Sequence, residues 1–141
     1  MHIPLLLFFL LLLSTAPVKA EEPDFSITAV IDVSVTLKSQ VKPEQTIFVF
    51  AKAVDGPRAP LAVYKGSAKD LPLRVTLTDS MAMSPQFALS AFKDKKIRVS
   101  ARVSQSGMAG KERGDFEGMS DEFILKKKNP PLTIFIGSVV Q

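Results

Sequence analysis

The sequence predicts an all-β fold, an antiparallel β-sandwich of about seven strands in roughly 120 residues. Three observations predict it. Apolar and polar residues alternate with a period of two along several stretches, the longest being residues 26–38. Clusters rich in Gly, Pro, Asp and Asn punctuate those stretches. No stretch repeats with the helical period of about 3.6 residues. The domain so predicted covers residues 21–141 and follows a leader at residues 1–20.

In the first stretch Ile27, Ala29, Ile31, Val33, Val35 and Leu37 share one face, with Ser26, Thr28, Asp32, Ser34, Thr36 and Lys38 on the other. This predicts a half-buried strand over 26–38, long enough to bend or to cross between sheets. Pro43 marks a turn within 39–45. Residues 46–54 are apolar on both faces, with Ile47, Val49 and Ala51 against Phe48 and Phe50, which predicts a central strand covered from both sides. A turn over 55–60 precedes a short strand at 61–65. Leu71, Leu73, Val75 and Leu77 alternate with Pro72, Arg74, Thr76 and Thr78, and Pro72 confines that strand's start to an edge or terminus. Ile97, Val99, Ala101 and Val103 alternate with Lys96, Arg98, Ser100, Arg102 and Ser104, predicting an amphipathic strand with those polar residues in water. Glycines and charges over 105–118 predict a mobile loop. A weaker strand follows at 122–127, Asn129-Pro130-Pro131 breaks it, and Leu132, Ile134 and Ile136 restart the alternation. The pattern is that of an immunoglobulin-like sandwich, without the Cys and Trp of true immunoglobulin domains.

Composition excludes much chemistry. The chain has no Cys, and His2 is its one His. A disulfide scaffold, a thiolate nucleophile and a Cys-ligated metal are therefore excluded. The apolar run from Leu5 to Leu13 is shorter than the about 20 residues that cross a bilayer. Pro17 and the small-residue pattern of Val18 and Ala20 follow it, so residues 1–20 are expected to be a cleaved secretory signal. Cleavage places the mature chain in the periplasm, starting at Glu21, without His2 and without an integral membrane segment. It also removes Lys19, lowering the net charge of +4 by one unit. So mild a balance does not point to nucleic acid. No enzyme activity and no cofactor are expected.

Four further groups carry candidate chemistry. Met81-Ala82-Met83 resembles the paired thioethers that Cu(I) prefers, with Met108 or Met119 as added ligands; packing of a loop against the sandwich edge is the competing reading. Asp115, Glu117, Asp121 and Glu122 cluster, but without the spacing of a calcium loop. Ser and Lys are abundant, yet no motif pairs a nucleophile with a base. Lys126-Lys127-Lys128 could meet acidic partners or lipid heads; guarding an edge strand is the simpler role.

A resemblance emerges in the middle of the chain. Thr46-Ile47-Phe48-Val49-Phe50-Ala51-Lys52-Ala53, Pro60-Leu61-Ala62-Val63-Tyr64, and the run from Asp70 to Met83 that ends Asp-Ser-Met-Ala-Met occur in order. Leu89-Ser90-Ala91-Phe92, the run from Val99 to Gly107, and Gly114-Asp115-Phe116-Glu117-Gly118 follow. The series resembles the C-terminal periplasmic domain of the cytochrome c-type biogenesis protein H family. That resemblance implies an immunoglobulin-like β-domain and a part in holding apocytochrome c for haem attachment, with no catalytic residue. The tetratricopeptide repeats and membrane helices of that family have no counterpart in the residues of this chain.

The expected function is thus an exported, non-enzymatic binding or assembly module with a protein partner in the cell envelope, either apocytochrome c or the maturation machinery. Alternatives are a periplasmic copper-binding protein and a structural docking domain using a strand edge. The expected contact surface is the loop after residues 73–78. There Asp79 and Ser80 can cap a brief helical turn, and Met81, Met83 and Phe87 offer adaptable apolar contacts.

Overall fold

Alternation becomes burial in β1 (Ser26–Val33), where Ile27, Ala29, Ile31 and Val33 all face the core. The computed structural model describes residues 15–16 and 25–141. The leader expected at residues 1–20 falls outside the described residues, apart from Thr15 and Ala16. Among the described residues no helix is long and apolar enough to cross a membrane.

Eight more strands follow: β2 (Thr46–Ala53), β3 (Ala62–Ser67), β4 (Leu73–Thr78), β5 (Lys96–Ser104), β6 (Phe116–Met119), β7 (Phe123–Ile124), β8 (Leu132–Ile136) and β9 (Ser138–Val139). They form two sheets. One is three-stranded, in the order β4-β1-β8; the other runs β3-β2-β5-β6-β9, with β7 also paired to β5. Inward residues of both sheets build one core, including Ile31 of β1, Leu77 of β4 and Ile134 of β8 against Ile47 and Val49 of β2 and Val99 of β5. The all-β sandwich read from the alternation is the observed architecture. Its pairings are antiparallel with one exception: β1 and β8 run parallel, Ala29 opposite Leu132 and Val33 opposite Ile136.

The first strand is shorter than its alternation. It ends at Val33, and a turn takes over, with the amides of Leu37 and Lys38 both donating to the Ser34 carbonyl. Val35, expected inside, is 90% exposed, whereas Leu37 is buried. Positions 33 and 37 lie four apart, so a helical turn and a strand both bring them to one side. Only position 35 tells the two apart.

The loops also depart from the reading. The predicted mobile loop runs into β6, which pairs with β5 through Val103 opposite Phe116 and Ser100 opposite Met119. Its first half folds back over the outer face of β5. Arg102 and Ser104, expected in water, are buried there. Ser104 Oγ donates to the Met108 carbonyl at 3.0 Å and accepts from the Gly107 amide at 3.0 Å, a turn that Gly107 makes at φ +81°. At the far corner the two sheets nearly touch. A Cβ on Gly118 of β6 would lie 2.1 Å from the Phe135 carbonyl oxygen of β8, so only glycine fits.

Candidate functional site

The site begins with the two-faced character of β2. Its inward residues Ile47, Val49 and Ala51 fill the core, which leaves Phe48, Phe50 and Lys52 on the outer face of the larger sheet. Among the described residues no second layer of sheet covers that face, contrary to the expectation from the sequence. Strand register instead aligns neighbouring side chains into three rows. Phe48 stands opposite Arg102, which stands opposite Glu117. Phe50 lies between Val63 and Ser100, with Met119 beyond. Lys52 stands opposite Arg98. The middle row is apolar but for Ser100 and spans roughly 14 Å across four strands.

These rows floor a trough of about 830 Å³. Arg58 and Pro60 from the β2–β3 connection, Met83, and Ala109, Gly110 and Lys111 from the β5–β6 connection are among the residues that wall it. Cations sit against the aromatic floor. The Arg102 guanidinium lies 5.8 Å from the Phe48 ring centre and 5.9 Å from that of Phe50, and the Lys52 ammonium is 5.2 Å from Phe50. Such contacts draw a cation toward the electron-rich ring face.

A buried ion pair holds one wall in place. Arg102 Nη1 meets Asp115 Oδ2 at 3.2 Å, with side chains 4% and 0% exposed, and Arg102 Nη2 donates to the Ala109 carbonyl. Asp115 also accepts from the amides of Gln105 at 2.9 Å and Glu112 at 3.0 Å. One carboxylate thereby closes the loop at both ends. Buried charges are tolerated when their remaining bonding capacity is met in this way.

Other charges in the lining pair at the surface. Lys111 meets Glu117 at 3.1 Å, and Glu122 takes both Arg98 at 3.3 Å and Lys96 at 3.8 Å. Among the described residues Lys52 and Arg58 have no carboxylate partner. Arg98 Nε is buried without a hydrogen-bond partner. The end of the trough where β2 finishes is therefore the cationic end. No group of three or more His, Cys, Asp or Glu suited to a metal ion occurs among the described residues.

The loop expected as the contact surface is divided by the structure. Met83, 77% exposed, lines the trough, as does Met119. Met81 and Phe87 instead pack against the core, which separates Met81 from Met83. Asp79 and Ser80 do not cap their own turn at Asp79–Met81, whose preceding residue Thr78 makes no side-chain cap bond. Asp79 Oδ1 accepts from the Ser90 amide at 2.9 Å, fastening its turn to the next one at Leu89–Phe92. Ser80 Oγ bonds Thr78 Oγ1 at 2.8 Å. Met108 is exposed and stands apart from the trough lining. Elsewhere, Lys126 donates to Asp94 Oδ1 at 2.7 Å, which holds that carboxyl below its usual range. Lys128 bridges to Ser26.

The residues that make the trough were missed as a group. Phe48 and Phe50 were visible as a second apolar face of one strand, and Arg98 and Arg102 as polar residues of another. Their union depends on register, which no single strand reveals.

Comparison with known proteins adds three findings. An alternative pilotin of the type II secretion system of Vibrio cholerae superposes with a TM-score of 0.48 at 19% identity, over 82% of this chain and 96% of that one. The cytochrome c-type biogenesis protein CycH of Pseudomonas aeruginosa is 43% identical over 94 residues, which is 67% of this chain and 23% of that protein. The chain thus corresponds to less than a quarter of that relative. The profile of the cytochrome c-type biogenesis protein H Ig-like domain matches residues 27–137, the stretch that runs from β1 to the crossing between β8 and β9. With that match covering most of its length, the chain belongs to the family of cytochrome c-type biogenesis protein H Ig-like domains.

Proposed function

We propose that this chain is a non-catalytic, exported binding module of c-type cytochrome biogenesis, which takes a segment of a protein partner into the trough. Membership of the family supports the process, and the name of the Pseudomonas aeruginosa relative supports it independently. The observation that carries the binding role is the row Val63, Phe50, Ser100 and Met119, an apolar strip on an outer sheet face that the described residues leave without a second layer. Contiguous apolar surface of this kind marks interaction sites. The chemistry of the chain supports a module that binds: it has no thiol, and its one imidazole is His2.

The test uses a strain deleted for this gene and complemented with the wild-type chain or with Phe50→Glu. Phe50 is only partly buried and lies outside the core, so the variant is expected to fold, as circular dichroism checks. The expected result is a weakened haem-stained profile of c-type cytochromes in the deletion strain and in the variant. An unchanged profile in the deletion strain overturns the role.

A further inference from the structure

The trough is asymmetric in charge, and its asymmetry names the chemistry of its occupant. Going on from the reading of the trough as a binding site, we propose that it takes a polypeptide segment in which apolar side chains are followed by carboxylates. The apolar row of Val63, Phe50 and Met119 receives the first; Lys52 and Arg58 receive the second.

Charge complementarity carries the argument. At the Arg102 end every lining charge already has a partner: Arg102 holds Asp115, and Lys111 holds Glu117. At the other end Arg98 shares Glu122 with Lys96, while Lys52 and Arg58 line the trough with no carboxylate partner among the described residues. The unmatched positive charge is therefore confined to one end. An exposed ammonium or guanidinium beside an apolar floor favours a carboxylate that arrives attached to apolar groups. Lys52 already lies over Phe50, so a carboxylate reaching it brings its neighbouring side chain onto the aromatic ring.

Shape points to a polypeptide as the bearer of that chemistry. The apolar row crosses four strands on a sheet face and is walled by loops, and Ser100 interrupts it with a hydroxyl. A segment of chain offers several short side chains in succession, together with backbone groups for that hydroxyl. A single long alkyl tail would leave Ser100 without a partner.

The experiment is fluorescence anisotropy on the purified domain with three probes. One labelled peptide of about ten residues has a Phe/Leu half followed by a Glu half. The second replaces every Glu with Lys, and the third probe is a labelled vesicle rich in phosphatidylglycerol. The protein variants are Lys52→Glu with Arg58→Glu, both at exposed positions, and Phe50→Glu. The expected result is binding of the acidic peptide about tenfold or more tighter than the Lys peptide. Charge reversal inverts that preference, and Phe50→Glu abolishes binding of both. Equal binding of the two peptides, unmoved by charge reversal but lost in Phe50→Glu, overturns the charge inference and leaves the trough as a peptide site. Binding of neither peptide overturns the inference while the haem-stain test of the cytochrome role stands separately. Binding of the vesicle alone replaces the polypeptide with a lipid surface and overturns it as well.

Discussion

Asp115 and Arg102 form a buried pair in which the carboxylate also gathers the amides of Gln105 and Glu112, so the loop over β5 is tied at both ends to one side chain. Removing the carboxylate leaves a buried guanidinium uncompensated. Asp115→Ala is expected to cost about 3–5 kcal/mol, read as a lowered urea midpoint. Adding Arg102→Met to that variant is expected to restore part of the loss, because an apolar side chain of similar length needs no counter-charge. A double variant no more stable than Asp115→Ala alone counts against this account.

The turn after β1 separates two neighbours that the alternation treats alike. Val35→Ser is expected to change stability by no more than about 0.5 kcal/mol, since Val35 is in water. Leu37→Ala, from a buried position, is expected to cost about 2 kcal/mol or more. Thermal unfolding of the two variants decides; a large loss in Val35→Ser would mean that the strand continues past Val33.

Close approach of β6 to β8 makes Gly118 intolerant of a methyl group. A Cβ there meets the Phe135 carbonyl oxygen, a backbone atom without freedom to swing aside. Gly118→Ala is expected to destabilise by about 1–3 kcal/mol through forced separation of the strands. Gly110→Ala is the control, as a Cβ at Gly110 has open space around it. Equal melting temperatures for the two variants would refute the crowding.

The pairing of Asp94 with Lys126 is testable by titration. Its hydrogen bond with Lys126 is the main cause of the lowered carboxyl value. A folded value below the unfolded one contributes stability above the unfolded value, and that contribution disappears as pH falls through the folded value. Acid, not alkali, therefore removes it. In Lys126→Met the Asp94 midpoint, followed by carboxyl NMR, is expected to rise toward that of an ordinary aspartate; an unmoved midpoint would remove Lys126 as the cause.

Much of the sandwich was legible because one physical rule governs it: a strand with one buried face must alternate, and β1 does so over its whole length. The rule fails where another periodicity coincides, as at Val33 and Leu37, or where a loop supplies the cover, as over Arg102 and Ser104. The trough was less legible for a different reason. Phe50 acquires its neighbours Val63, Ser100 and Met119 only through three other strands, β3 and β5 directly and β6 through β5, and pairing is a long-range property. Met83 was singled out from its sequence setting, but that setting did not separate it from Met81, whose neighbours are in the core.

The parallel pairing of β1 with β8 also governs how the chain can assemble. The Asn129 side chain donates to the Ser26 carbonyl, 103 positions away, and the strand that follows it lies along β1. A polypeptide delivered from its amino end, whether by a ribosome or through a translocation channel, holds β1 with one flank bare until residues 132–136 arrive. Closure waits on a partner about a hundred positions downstream, and until then the nascent chain carries an unsatisfied strand edge that a chaperone, or another copy in the same condition, can occupy.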